Sequence, residues 1–156
     1  MKILLVEDDE NKRTKLLAFL RERCQTDEVE IAKSLQGGVR AILRGGHELI
    51  IVDMTMPTFD ISAEEDGGRP QAYAGREILR QMDRRGIVVP TLVVTQFDRF
   101  GEGGDAMTFD ELDGKLKNEH PGCYVGMVYY DVAVEGWRED LAEKIAWVST
   151  ETGAKG

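Results

Sequence analysis

The stretch Leu49-Ile50-Ile51-Val52-Asp53-Met54-Thr55-Met56-Pro57 decides how this chain folds. Its first four residues are apolar and mostly β-branched, the pattern of a strand buried on both faces. An aspartate where such a strand ends is poorly explained by packing, because its carboxylate needs a partner or water. Pro57 cannot continue a ladder, so the chain is expected to leave the strand from Met54 onwards. Asp53 is thereby predicted at the C-terminal rim of a parallel sheet, where open α/β folds bind ligands. The alternative at this point is a strand-ending aspartate that makes a turn.

Working outward, a second apolar run, Lys2 to Val6, reads as the first strand and ends in Glu7-Asp8-Asp9-Glu10. Four consecutive acids repel one another. They are either a solvated cap that favours the next helix through its dipole, or part of a metal site. From Asn11 to Arg23, Leu16, Leu17 and Leu20 recur at helical spacing. Val29 to Ala32 is a short strand. Ser34 can cap a helix over Leu35 to Arg44, which Gly45-Gly46 ends. Gly75 to Arg85 is an amphipathic helix with Ile78, Leu79 and Met82 inward, closed by Gly86. Ile87 to Thr95 reads as a buried strand with Pro90 near its beginning. Thr108 and Glu111 match a capping box opening a helix towards Glu119. Pro121-Gly122 turns the chain into a last strand, Tyr124 to Tyr130. Trp137, Leu141, Ile145 and Val148 mark the last helix, with Thr152 to Gly156 expected to fray. Residues 58–74 and 96–107 carry little periodicity and read as long loops, functional or simply tolerated.

The chain has 156 residues, enough for one domain with a real core, and we assign 1–150 to that domain and 151–156 to a short tail. Apolar residues make up 42%, too many for a disordered chain. The net charge of −9 argues against direct nucleic-acid binding, which needs a basic face. It suits a cation site or a basic partner surface. Cys24 and Cys123 have no Cys or His at metal spacing and read as packing residues. The early strand leaves no room for a signal peptide, and no apolar run approaches the ~18 residues of a membrane span, so a cytoplasmic location is expected.

Strands alternate with helices five times, which predicts an α/β fold: a doubly wound five-stranded parallel sheet with helices on both faces. Right-handed crossovers and the flavodoxin-like order 2-1-3-4-5 place the first strand beside the third. Glu7 and Asp8 then lie next to Asp53. Three carboxylates converging in a cleft would not all stay charged without a cation. Oxygen ligands with room for waters suit Mg²⁺, and the backbone carbonyl of Thr55 could add a ligand. Thr95 ends the fourth strand, and its hydroxyl would face the same cleft and hydrogen-bond a phosphoryl oxygen, unless it is only a β-branched strand end.

With those residues in place, the sequence resembles the receiver domains of bacterial two-component response regulators over nearly its whole length. The resemblance rests on Ile3-Leu4-Leu5-Val6-Glu7-Asp8-Asp9, on Val52 to Pro57, and on Leu92-Val93-Val94-Thr95. It implies that Asp53 is the phosphoacceptor, that Asp8 binds Mg²⁺ directly with Glu7 supporting through water, and that Thr95 follows the phosphoryl group. Asp9 would lie just outside the acid pair. The implied partners are a sensor histidine kinase or phosphotransfer protein and a downstream protein, with no nucleic acid and no membrane. Receivers usually carry a lysine at the end of the last strand. Here Val128-Tyr129-Tyr130-Asp131-Val132 holds none, and Lys115 and Lys117 fall on a predicted helix. Gln96 also stands where receivers usually have a small residue.

The leading expectation is a stand-alone, atypical response regulator, not an enzyme, that signals through protein contact on the face built by the last two helices and the last strand. Tyr129, Tyr130 and Trp137 lie there, though each is expected to serve packing first. The runner-up is a pseudo-receiver that works without phosphorylation, for which the missing lysine speaks. An aspartate-based phosphohydrolase would need an acid where Thr55 stands. A flavin binder would need a Gly/Ser/Thr loop where the first strand ends in acids.

Overall fold

In the computed structural model, residues 1–24, 28–60, 70–71 and 73–155 are described. Among the described residues, nine strands and five helices follow in chain order: β1 (Ile3–Val6), α1 (Glu10–Arg23), β2 (Val29–Ala32), α2 (Leu35–Arg44), β3 (Leu49–Val52), β4 (Met56–Pro57), β5 (Pro70–Gln71), α3 (Ala74–Arg84), β6 (Thr91–Thr95), β7 (Arg99–Phe100), β8 (Met107–Thr108), α4 (Phe109–Glu119), β9 (Tyr124–Tyr129) and α5 (Gly136–Lys155). A single 3₁₀ turn, Gly103–Asp105, lies between β7 and β8.

The main sheet runs β2-β1-β3-β6-β9, all parallel, which is the expected order 2-1-3-4-5 for its five strands. The alternation of side chains along each strand splits the core in two. Leu4, Val6, Ile50, Val52 and Val93 pack towards α2, α3 and α4. Ile3, Leu5, Leu49, Ile51, Leu92 and Val94 pack towards Leu16, Phe19 and Leu20 of α1 and Trp137, Leu141, Ile145 and Val148 of α5. Because both faces are covered there, β1 and β3 are apolar and buried at every position, as the sequence runs suggested. Register pairs Val6 with Val52, so the tails of β1 and β3 end side by side.

Helix ends follow local chemistry. Ser34 Oγ accepts from Gly37 N at 3.0 Å and starts α2. Thr108 Oγ1 accepts from Glu111 N at 3.2 Å and starts α4. Gly45, Gly46 and Gly86 adopt positive φ where α2 and α3 end, a conformation that costs glycine little.

Several boundaries differ from the sequence reading. The fourth sheet strand begins at Thr91, not Ile87. Val88 is 69% exposed, and the pairing starts only where the Pro90 carbonyl accepts from Ile50 N at 2.9 Å. The stretches 58–74 and 96–107 are not plain loops. Met56–Pro57 pairs antiparallel with Pro70–Gln71, and Arg99–Phe100 with Met107–Thr108. Pro57 stands opposite Pro70, and since neither has an N–H, this must be the kind of pair that exchanges no ladder bonds. Residues 61–69 and 72, most of the first of those predicted loops, lie outside the described residues. The backbone of α5 continues to Lys155, through the stretch expected to fray. No helix among the described residues is long and apolar enough to cross a membrane.

Close approach of α2 to β1 depends on Gly38, where a Cβ would lie 3.0 Å from Val6 Cγ1 and 3.4 Å from Ile78 Cδ1. Gly38→Val should therefore cost about 1–3 kcal/mol by overpacking. Gly114, inside α4 with nothing within 4 Å, should behave oppositely: Gly114→Ala should stabilise by roughly 0.5–1 kcal/mol. Urea unfolding of both variants beside the unaltered chain checks the pair of signs.

Candidate functional site

The tails of β1 and β3 deliver the carboxylates. Glu7 follows β1, is 1% exposed, and donates its backbone N–H to Ala32 O at 2.9 Å. Asp53 follows β3, is 5% exposed, and donates its N–H to Val6 O at 3.1 Å, which locks the two strand ends together. Asp8 is exposed. One carboxylate oxygen from each of Glu7, Asp8 and Asp53 falls within 4.8 Å of the others. Asp53 Oδ1 accepts from Met54 N at 2.7 Å, which fixes the rotation of the carboxylate.

Asp9 has a separate task. Its side chain accepts from Lys12 N at 2.8 Å and caps α1, which starts at Glu10, one residue before the expected Asn11. The acid run thus contains both of its proposed readings: Asp9 is the helix cap, and Glu7 and Asp8 belong to the cluster.

Lys12 is the residue that the sequence reading missed. It is 1% exposed, and its ammonium lies 2.6 Å from Glu7 Oε1, 2.6 Å from Val94 O and 3.2 Å from Asp53 Oδ2. The signal was present: Lys12 stands four residues before Leu16, in line with the inward stripe of α1. A lysine on a buried stripe needs an acidic partner, and side chains of a helix lean towards its N-terminus, here towards the strand tails. The two lysines considered instead lie on the surface of α4, with Lys115 near Glu119 and Lys117 near Asp113.

Burial is the main influence on the acids. It pushes the Glu7 carboxyl well above its usual range, against the lowering effect of Lys12 and with a further push from the charge of Asp53. Asp8 is raised in the same direction, first by burial and then by Asp53. Both shifts describe carboxylates crowded beyond what one ammonium balances. Hard oxygen donors in such a cluster fit a divalent cation such as Mg²⁺. Asp8 and Asp53 are the direct candidates, and Glu7, held by Lys12 and by Asp9 N at 3.2 Å, is placed behind them.

The other predicted site residues fall around this cluster. Thr55 lies half-buried in the turn between β3 and β4. Thr95 ends β6 fully buried, and its hydroxyl accepts from Phe97 N at 3.1 Å. Gln96 is exposed, and with Phe97, Tyr129, Tyr130, Asp131 and Val132 it lines an open hollow beside β9. At the end of β9 the two tyrosines differ. Tyr130 is buried, with its ring centroid 5.9 Å from Lys12 Nζ and 5.0 Å from the Trp137 ring. Tyr129, expected to pack, is 44% exposed and meets Phe109 edge-on. Gly75 was read only as a helix residue, yet it lets the start of α3 pack closely against the chain leaving β3. A Cβ there would lie 2.9 Å from the Asp53 carbonyl oxygen.

Two curated relatives share this chain over most of its length. The uncharacterized protein y4jR of Sinorhizobium fredii is 31% identical over 140 residues, covering 88% of this chain and 92% of its own. The Detocs response regulatory protein DtcB of Enterobacter cloacae is 30% identical over 147 residues, covering 93% and 98%. The chain belongs to the response regulator receiver family. No family model matches it. Solved receivers agree in fold. A response regulator receiver domain from Clostridium thermocellum superposes with a TM-score of 0.64 at 19% identity, over 99% of this chain and 98% of its own. The receiver domain of a sensor histidine kinase from Pseudomonas aeruginosa PAO1, which has a magnesium ion coordinated in its active-site cleft, gives 0.59 at 19%, over 95% and 97%.

As a receiver whose acid cluster is centred on Asp8 and Asp53, the protein should lose Mg²⁺ affinity by about 10-fold or more in Asp8→Ala. Isothermal calorimetry measures this directly, and an unchanged affinity would put the ion elsewhere.

Proposed function

We propose that this receiver accepts a phosphoryl group on Asp53 from a histidine kinase, a phosphotransfer protein or a small phosphodonor, and signals by protein contact. The observation that carries the reading is the convergence of Glu7, Asp8 and Asp53 within 4.8 Å at the paired tails of β1 and β3. An Asp53 oxygen attacks the donor phosphorus, the bond from phosphorus to the donor nitrogen or oxygen breaks, and the leaving group keeps that electron pair. Met54 N–H, bonded to Oδ1, holds the carboxylate while the attack proceeds. Thr95, at the end of the neighbouring strand, has a hydroxyl proton to offer a phosphoryl oxygen while its oxygen stays on Phe97 N. Bound Mg²⁺ supplies positive charge for the oxygens of the transferring group, and Asp8 and Asp53 would hold it, with the Thr55 carbonyl as a further ligand.

The product stays on the chain, so the protein is a phosphoacceptor and not a turnover enzyme. Thr55, two residues past Asp53, offers no carboxylate for phosphohydrolase chemistry. The pseudo-receiver alternative drew on the absence of a cation at the end of the last strand. The buried ammonium of Lys12 beside Asp53 weighs against that alternative. A protein partner is favoured over nucleic acid by the net charge of −9 and by the exposed Tyr129, Val132 and Val134 near the end of β9.

Incubation with acetyl phosphate and Mg²⁺, followed by intact mass, should show a gain of one phosphoryl group that Asp53→Asn abolishes. Repeated absence of an adduct from protein shown to bind the metal would overturn the reading.

A further inference from the structure

We propose that Lys12, reaching in from α1, is the cation that receives the phosphoryl group on Asp53, in the role that receivers usually give to a lysine at the end of the last strand. The proposal rests on Asp53 being the phosphoacceptor. An ammonium has three N–H donors; here it donates to Val94 O and lies in ion-pair contact with Glu7 Oε1 and Asp53 Oδ2. The contacts are unequal. Those to Glu7 and Val94, both 2.6 Å, anchor the head, while the contact to Asp53 is longer at 3.2 Å. The contact to Asp53 is therefore the one that passes to a phosphoryl oxygen as charge moves off the carboxylate, while the hydrogen bond to Val94 O and the ion pair with Glu7 stay in place. A donor held in place before the charge develops is the arrangement that stabilises a transition state.

Its surroundings strengthen that charge. Tyr130, at the end of β9, presents its ring to Nζ at 5.9 Å and leans on Trp137, which leans on Phe19 at 5.5 Å. This wall shields the ammonium from water and sharpens its electrostatics. It also fills the end of β9, so the site has one cation delivered from the helix instead of one delivered from the strand. Arg13 is the nearest rival, but its guanidinium is engaged by the backbone carbonyls of Glu7 and Asp8, at 3.3 and 3.1 Å. Among the described residues, Lys12 is the cation in ion-pair contact with Asp53. In the reaction with acetyl phosphate, the phosphorus–oxygen bond to Asp53 forms, the bond to acetate breaks, and acetate leaves with the electron pair. Lys12 keeps its proton throughout and contributes charge and a hydrogen bond.

The test compares Lys12→Met, Lys12→Gln and the unaltered chain. Mg²⁺ affinity is measured by calorimetry, folding by circular dichroism, and the phosphorylation rate at saturating Mg²⁺ by intact mass. Lys12→Gln keeps a donor for Val94 O without the charge. Both variants should be phosphorylated about 100-fold more slowly while still binding the metal. A purely structural counter-ion would leave the rate of folded, metal-bound protein unchanged however far the melting temperature falls, and that result in either variant overturns the proposal. A second measurement uses the unaltered chain. With nitrogen-15-labelled lysine, the Lys12 ammonium resonance should move when acetyl phosphate is added, and should stay still in Asp53→Asn. An unmoved Lys12 resonance in phosphorylated protein also overturns it. Should the unaltered chain take no phosphoryl group at all, the reading of Asp53 falls and Lys12 falls with it. Should it be phosphorylated while both variants keep pace, only the role of Lys12 falls.

Discussion

One ammonium group ties the functional end of this protein together. From α1, Lys12 lies in ion-pair contact with the residue after β1 and the residue after β3, and donates to a carbonyl near the end of β6. The third contact answers a specific deficit. The β3–β6 ladder ends at Val52 opposite Val93, whereas β6 continues two residues further along β9. That overhang leaves the Val94 carbonyl on the β3 side with no strand partner, and a buried carbonyl without one is costly. Lys12 fills the position. The ammonium also offsets the mutual repulsion of Glu7 and Asp53 in a buried place. Taking one partner out of a buried ion pair typically costs about 3–5 kcal/mol, so fold and site share a common constraint here.

That constraint reaches back to the run Glu7-Asp8-Asp9-Glu10. Four adjacent acids look redundant, yet the structure gives the first three distinct directions. Glu7 points inward to Lys12, Asp8 stays at the surface of the cluster, and Asp9 turns back to cap α1. The cap has a consequence beyond helix stability. A helix advances about 100° per residue, so the residue at which α1 starts decides which side chain faces the strand tails. With Asp9 as cap, Lys12 faces them and Arg13 lies over the outer carbonyls. Starting the helix one residue later would rotate the ammonium away from Asp53.

The legibility of this protein in its sequence divides along physical lines. The five central strands and their order were readable because β1 and β3, covered on both faces, are apolar at every position, and the shorter or mixed strands around them alternate with helical patterns. The caps at Ser34 and Thr108 were readable because a hydroxyl before an apolar stripe has few other uses. The ribbons β4/β5 and β7/β8 were not, since two residues a side are too few to show a period. The positions of Asp8, Asp53 and Thr95 at the strand ends were readable from the strand runs. The parts played by Lys12 and Gly75 were not. A lysine counts as polar in any hydropathy reading, and its burial depends on acids from two other elements. The role of Gly75 rests on a distance to the Asp53 carbonyl that no local pattern encodes.

Moving the cation from strand to helix also changes what the end of β9 is able to be. A lysine there would have to point its head at Asp53 and carry its own desolvation. With Lys12 already in the cleft, the position can be aromatic, and Tyr130 joins Trp137 and Phe19 in a stack that packs α1 and α5 against one face of the sheet. The neighbouring carbonyls of β6 then report on different partners: Val94 O meets Lys12 at 2.6 Å, and Thr95 O meets Tyr130 N at 2.7 Å. Thr95 also holds Phe97 N through its hydroxyl, and Phe97 and Tyr129 are both exposed. The residues nearest the acid cluster and the aromatic surface beside β9 are therefore joined by three consecutive hydrogen-bonding groups of one strand end.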